Sequence, residues 1–340
     1  MTIREQIEER EYEILSPHAA HARESLGRLR EEEPCDIRTC YQRDRDRIVH
    51  TPAFRRLKNK TQVFLEPEGD HYRTRLTHTL EVSQIARTIG KALALNEDLI
   101  EAIALGHDLG HTPYGHSGEK ALNEVLIRQG FPEGFAHNRQ SVRLVQRLEK
   151  EGRGLNLTRE VIDGILNHGT NTMPSTLEGK VVRLCDKIAY INHDIDDAVR
   201  AHVLTEAGLP REYTDVLGHS VKTRLNRMVH DMIINSMGKN DICQSEEVAA
   251  AMQGLRTFMF CEVYENPKVK GQEKKAQRML VDLYEYYMDH VEDLPAFYRR
   301  LMDEGEKKEI VIADYISGMT DSYSMQKFGE YFVPQGWKDE

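Results

Sequence analysis

A chain of 340 residues, 39% hydrophobic and 30% charged, is long and apolar enough to bury a sizeable core in one large domain or two small ones, which excludes a disordered or fibrous polymer. Its net charge of -10 excludes a protein that coats nucleic acid over its whole surface, because phosphate binding draws on a basic face. No apolar run approaches the ~18 residues of a membrane span, and the charged start MTIREQIEEREYEIL carries no hydrophobic signal core, so the expectation is a cytoplasmic protein with no membrane partner.

Five cysteines (Cys35, Cys40, Cys185, Cys243, Cys261) form no CxxC pair and leave one over, so they read as reduced thiols. No repeat, low-complexity tract or long linker interrupts the chain, and one continuous domain is the expectation. In chain order, the segment Arg43 to Arg75 is locally basic. Its RDRDR start reads as a solvated helix face, and its end as a surface able to meet a polyanion. TQVFLEPEGDHYRTRL sets β-branched and aromatic residues around the turn-forming Pro67, Glu68, Gly69 and Asp70, which predicts a small β-hairpin near residues 61–76. The rest is helical. In THTLEVSQIARTIGKAL, Leu80, Ile85, Ile89 and Leu93 line one helix face. Asn96, followed by Glu97 and Asp98, caps the helix carrying LIEAIALGHDLG. Further helices are predicted at HNRQSVRLVQRLEK, TREVIDGILNH, LEGKVVRLCDKIAYINHDIDDAVR, EEVAAAMQGLRTFMFCEVY and QEKKAQRMLVDLYEYYMDHV, giving an all-α fold.

The chemistry concentrates between Arg75 and Asp194. His78 opens one helix, His107 and Asp108 close the next, and Asp186 sits within a third. Mixed imidazole and carboxylate donors from separate helices suit a hard or borderline divalent cation. A single buried histidine is usually a hydrogen-bonded core residue, but Asp108 at the end of an apolar helix is costly to bury unless a cation meets it. In HDLGHTPYGHSGE, three histidines and two carboxylates fall within a glycine-rich turn, and His116 with Glu119 makes a base-and-orienter pair. Beyond Asp186, Tyr190 and Asp194 follow at i+4 and i+8 along one stripe, with Lys187 one residue round. Such a stripe serves either a buried polar network or, beside a metal, phosphate charge and a sugar hydroxyl.

The order His78, His107–Asp108, Asp186 resembles the H...HD...D signature of the HD phosphohydrolase superfamily. The words RDRIVHTPAFRRLKNKTQVF, TRLTHTLEV, HDLGHTPYGHSGE, DKIAYINHDIDD and DYISGMTD narrow this to a resemblance to the dGTPase-like deoxynucleoside triphosphate triphosphohydrolases, in a compact form without a large insertion. The resemblance implies an HD metal-binding core at about 70–200 and a helical C-terminal part at about 210–340. It makes His78, His107, Asp108 and Asp186 the ligands of one divalent ion per subunit (Mg, Mn, Co, Fe, Ni or Zn, with Mg or Mn in use). It makes His116 the catalytic acid/base, supported by Glu119. Arg75, His111, His137 and Lys187 would then hold the triphosphate, and Gln62 and Asp194 the sugar 3′-hydroxyl. Tyr190 and Tyr315 would pack on the deoxyribose, with Tyr315 guarding against a 2′-hydroxyl. The implied reaction releases deoxynucleoside and tripolyphosphate, from a homo-oligomer of dimers forming a tetramer or hexamer. Single-stranded DNA or an activating nucleotide has no sequence word to support it. Two rival functions stay open: another HD-type nucleotidase or phosphodiesterase, and a noncatalytic nucleotide sensor, which would lack His116 or a metal ligand.

Overall fold

The helix starts follow from local capping. In the computed structural model, which describes residues 1–62, 73–169, 171–264 and 266–334 (backbone alone for 264 and 267–270), sixteen α-helices form and no sheet. Thr2 and Glu5 close a capping box on α1 (Ile3–Ile14), and Thr39 with Gln42 on α2 (Cys40–Val49). Thr51 precedes α3 (Pro52–Arg56), which starts on a proline that has no N–H to leave unpaired. Thr74 with Thr77 opens α4 (Arg75–Ala92). The Asn96 side chain accepts from the N–H groups of Asp98 and Leu99 at α5 (Glu97–Gly106).

The predicted hairpin centres on residues 63–72, outside the described ones; at its base, Thr61 and Thr74 form one isolated antiparallel bridge. Leu80, assigned above to the apolar face of α4, is 50% exposed. Ile85 and Ile89 are buried as expected, joined by Val82 and Ala86.

Next come α6 (Gly115–Arg128), α7 (His137–Arg143), α8 (Arg159–Asn167) and the 24-residue α9 (Leu177–Arg200). Helix α5 is the axle: it packs on α2, α4, α8 and α9, while α4 also packs on α9. Its approach to α8 depends on Gly164, where a Cβ would stand 2.5 Å from Ile103 Cδ1. The C-terminal part holds α10 (Arg211–Leu217), α11 (Val221–Ser236), α12 (Glu246–Met259), α13 (Pro267–Asp289), α14 (Ala296–Asp303), α15 (Lys308–Ser317) and α16 (Asp321–Phe332).

Two apolar clusters result, and they do not divide at residues 200–210. Leu217, Met228, Met232, Val248 and Leu255 from α10–α12 join the core built on α4, α5, α8 and α9. The second cluster joins α6, through Leu122 and Val125, to Leu280, Leu283, Tyr284, Ile316 and Tyr315 from α13 and α15. The seam is polar. Buried Lys60 donates to the carbonyls of His111 and Ser317, and Asp321 accepts from the N–H groups of Thr61 and Tyr114 and from the Thr61 hydroxyl. No helix among the described residues is long and apolar enough to cross a membrane.

Candidate metal and phosphate site

Because α4, α5 and α9 pack on one another, His78 in the first turn of α4, His107 and Asp108 at the end of α5, and Asp186 in mid-α9 meet at one point. Ligand atoms of His78, His107 and Asp108 lie within 4.8 Å of one another. Asp186 Oδ1 is 3.1 Å from His78 Nε2 and 3.8 Å from His107 Nε2. His107 decides what fits. Its Nδ1 lies 2.6 Å from the Ala104 carbonyl, which can only accept, so Nδ1 carries the proton and Nε2 presents a lone pair. That Nε2 is buried with no hydrogen-bond partner and faces Asp108 Oδ1 at 3.5 Å. A lone pair and two carboxylates converging on one buried spot can hold a cation, and the N/O donor set suits a divalent one. Burial alone would raise Asp186, but its hydrogen bond to His78 and the imidazoles around it hold it well below the usual carboxylate range.

Beside this point, Arg75 is 1% exposed. Its Nη1 donates to Asp108 Oδ2 at 2.7 Å, while Nε and Nη2 have no hydrogen-bond partner among the described residues. The guanidinium fits because residue 115 is glycine: at φ +55 its backbone is left-handed, and a Cβ would stand 2.7 Å from Arg75 Nη2. Gln62, His111, His116, His137, Lys187 and Tyr190 line the same pocket. Among the described residues, Gln62 Oε1 and His111 Nδ1 are buried without a hydrogen-bond partner. Lys187 is half-buried, and burial together with Arg183 and Arg256 lowers its pKa.

Three of the expected residues have other neighbours as well. Glu119 bonds to His137, not His116: the His137 backbone N–H donates to Glu119 Oε1 at 2.9 Å, and ring Nδ1 lies 3.0 Å from both carboxylate oxygens. The reason is that Ala136 offers no side-chain cap to α7, so the carboxylate of α6 takes that role. Burial opposes its charge, yet the His137 contacts pull the Glu119 carboxyl down to about 2. His116 keeps an exposed ring and a nitrogen within 4.8 Å of Glu119. Asp194 is buried but does not line the pocket, since i+8 is roughly 12 Å further along the helix axis from Asp186. Tyr315 is likewise absent from the lining. Its ring packs in the second cluster, 5.2 Å from Tyr287 and 5.0 Å from Tyr298, and its hydroxyl lies 3.2 Å from that of Tyr323.

Sequence reasoning missed His168 and Arg256, both of which line the pocket. His168 had a signal: like His107 it closes an apolar helix just before a turn. Its burial, with His107 and His137 close by, pushes it down to about 4. Arg256 had only its place as a cation in the otherwise apolar end of α12.

Residues 75–191 match the HD domain family, and residues 242–330 the phosphohydrolase-associated domain. Over 340 residues the chain is 57% identical to a deoxyguanosinetriphosphate triphosphohydrolase-like protein of Caldanaerobacter subterraneus subsp. tengcongensis, covering 100% of this chain and 98% of that one. The chain belongs to the deoxyguanosinetriphosphate triphosphohydrolase-like family. A second member of this family, from Clostridium perfringens, is 49% identical over 344 residues, covering 98% of this chain and 99% of that one. A solved structure of a hypothetical protein from Aquifex aeolicus aligns with a TM-score of 0.49 at 19% identity, over 84% of this chain and 67% of that one. Membership in the triphosphohydrolase-like family, with its HD domain and a His/Asp cluster able to hold a divalent metal, makes the chain a metal-dependent phosphohydrolase.

Proposed function

We propose that the protein hydrolyses deoxynucleoside triphosphates to deoxynucleoside and tripolyphosphate, with His78, His107, Asp108 and Asp186 holding one divalent ion, Mg²⁺ or Mn²⁺. The observation that carries this reading is the pocket's excess of cationic donors beside the His/Asp cluster. Arg75, with two nitrogens that have no partner among the described residues, Lys187 and Arg256 are more than a single phosphate needs. The names of the relatives point the same way.

When bound, the ion supplies an acidified water and draws charge from a phosphoryl oxygen. The other roles belong to the chain. Arg75 Nε and Nη2, already fixed by the Asp108 bond, donate to phosphate oxygens without further reorganisation. Lys187 and Arg256 hold the outer phosphates. His116, exposed at the mouth, protonates the departing 5′-oxygen of the sugar. Gln62 and Tyr190 hold the sugar, a role the burial sites of Asp194 and Tyr315 do not support.

Incubation with each dNTP and Mg²⁺, Mn²⁺ or Co²⁺ in ¹⁸O-labelled water tests this. The expected products are tripolyphosphate carrying one label and an unlabelled deoxynucleoside. Orthophosphate or pyrophosphate as first product, or turnover confined to monophosphates or cyclic nucleotides, would overturn it.

A further inference from the structure

Beyond α5, the turn that carries His107 and Asp108 has a hydroxyl spliced into its backbone. The Leu109 N–H donates to the Gly106 carbonyl at 3.4 Å and the His111 N–H to the Asp108 carbonyl at 3.2 Å, each bond closing back over three residues. The rung between these two would run from the Gly110 N–H to the His107 carbonyl. Ser141 of α7 fills it: Gly110 donates to the serine Oγ at 2.8 Å, and Oγ donates to the His107 carbonyl at 2.8 Å. A side chain that enters a ladder of backbone bonds spreads the rung and bends the chain there. Asp108 and Leu109 are the two residues inside the spread rung.

The insertion is built into the packing. Ser141 is fully buried and does not line the pocket. Gly110 makes its approach possible: a Cβ there would collide with the Ser141 backbone nitrogen and stand 2.6 Å from the His137 carbonyl oxygen. One hydroxyl thus satisfies a donor and an acceptor that the end of α5 leaves over. What the spread rung sets is the aim of Asp108. Its Oδ2 accepts from Arg75 Nη1 at 2.7 Å, while Oδ1 lies 3.5 Å from His107 Nε2 and 3.5 Å from His111 Nε2. Were the rung closed directly, the peptide groups on either side of Asp108 and Leu109 would draw together and swing that carboxylate off these partners. We propose that Ser141 is a positioning residue for the metal-binding pair, its hydroxyl holding the rung open so that Asp108 faces His107 and Arg75 together. The proposal rests on the reading of the His/Asp cluster as a metal site and not on the identity of the substrate.

Metal affinity tests it. The full-length protein is stripped with a chelator and titrated with Mn²⁺ by calorimetry, as wild type, Ser141→Ala and Ser141→Cys, and the melting temperature of each metal-free form is recorded. A thiol fills the serine's place but is a weak donor and acceptor, so Ser141→Cys separates packing from the lost rung. Both variants are expected to bind Mn²⁺ about 10–100-fold more weakly than the wild type, the range for losing a group that orients a metal ligand from behind. A folded Ser141→Ala with a lower melting temperature and unchanged Mn²⁺ affinity shows a purely structural serine and overturns the proposal. Should Ser141→Ala fail to fold, the affinity of Ser141→Cys decides in the same way. A wild type that binds no Mn²⁺ takes down the metal reading and the clamp with it, whereas tight wild-type binding matched by the variants removes the clamp alone.

Discussion

Arg75 and Arg143 are both drawn in beside carboxylates, yet they are treated differently. Arg143 on α7 donates from Nε to both oxygens of Asp314 at 2.9 Å, and from Nη2 to Asp314 Oδ2 at 2.6 Å and to Glu306. Arg147, one turn on, adds bonds to Glu306 and Glu304. Arg75, more deeply buried, makes one such bond among the described residues, to Asp108, and none of them meets Nε or Nη2. Unpaired buried N–H groups are costly, so a fold tolerates them where a ligand completes them. The α7–α15 seam is finished by the chain itself, and the pocket is not. A saturated buried cation is a structural fixture, while an unsaturated one marks a binding position.

This contrast can be broken, most severely at the metal ligands. Asp186→Ala or His107→Ala should lose the metal and reduce turnover by more than about 100-fold. Elemental analysis checks it, and a variant that keeps full metal content removes that residue from the ligand set. Arg75→Ala should lower kcat/KM by about 10²–10³-fold, the range for a lost preorganised donor, and should move the melting temperature less than Arg143→Ala does. His116→Ala should keep metal content and KM while kcat falls by about 10²-fold, read from steady-state kinetics.

Arg143→Ala should do the opposite of Arg75→Ala. It strands buried Asp314 and should cost about 3 kcal/mol in denaturant unfolding, with kcat per folded molecule unchanged. A large kcat loss there, with stability kept, would end the distinction between the two arginines. The smallest effect sharpens it from another side. Glu11 is 6% exposed and accepts from the Ala22 N–H at 2.6 Å and from Asn96 Nδ2 at 3.1 Å, but no cation meets it, and burial pushes its carboxyl up to about 7. Because the folded pKa is the higher one, the native state binds the proton more tightly, and stability falls as pH rises from the unfolded value through 7. Between pH 5 and 8, unfolding curves of the wild type should lose about 2 kcal/mol relative to those of Glu11→Gln. A constant difference would show that hydrogen bonds alone keep this carboxylate ionised.

The all-α fold was legible because capping residues and apolar periodicity are local, and Asn96 and Thr74 start helices where they stand. The cluster of His78, His107, Asp108 and Asp186 was legible because the sequence words carry it. What was not legible depends on which helix packs on which. Glu119 pairs with His137 because α6 lies against the start of α7, and no spacing along the chain encodes that. His168 belongs to the pocket through the packing of α8 on α9 and α7. Tyr315 was expected at the site from its word, and its contacts with the aromatic rings of α13 and α14 were not legible. How the apolar clusters are shared between the core and the later helices was not legible for the same reason, since α6 crosses to the later helices.

Lys60 ties these parts together. Its buried ammonium position reaches the carbonyl of His111 in the pocket loop and that of Ser317 at the end of α15, and burial, with Arg56 nearby, lowers its pKa well below the usual lysine range. One nitrogen atom thus rivets the loop behind Asp108 to the final helices, with the Asp321 bonds to Thr61 and Tyr114 as a second stitch. The C-terminal helices are therefore a load on the pocket loop and not a detachable appendage. Cutting the chain after α9 would pull out both fastenings at once, and any tilt of α15 transmits its displacement to the backbone three residues from Asp108.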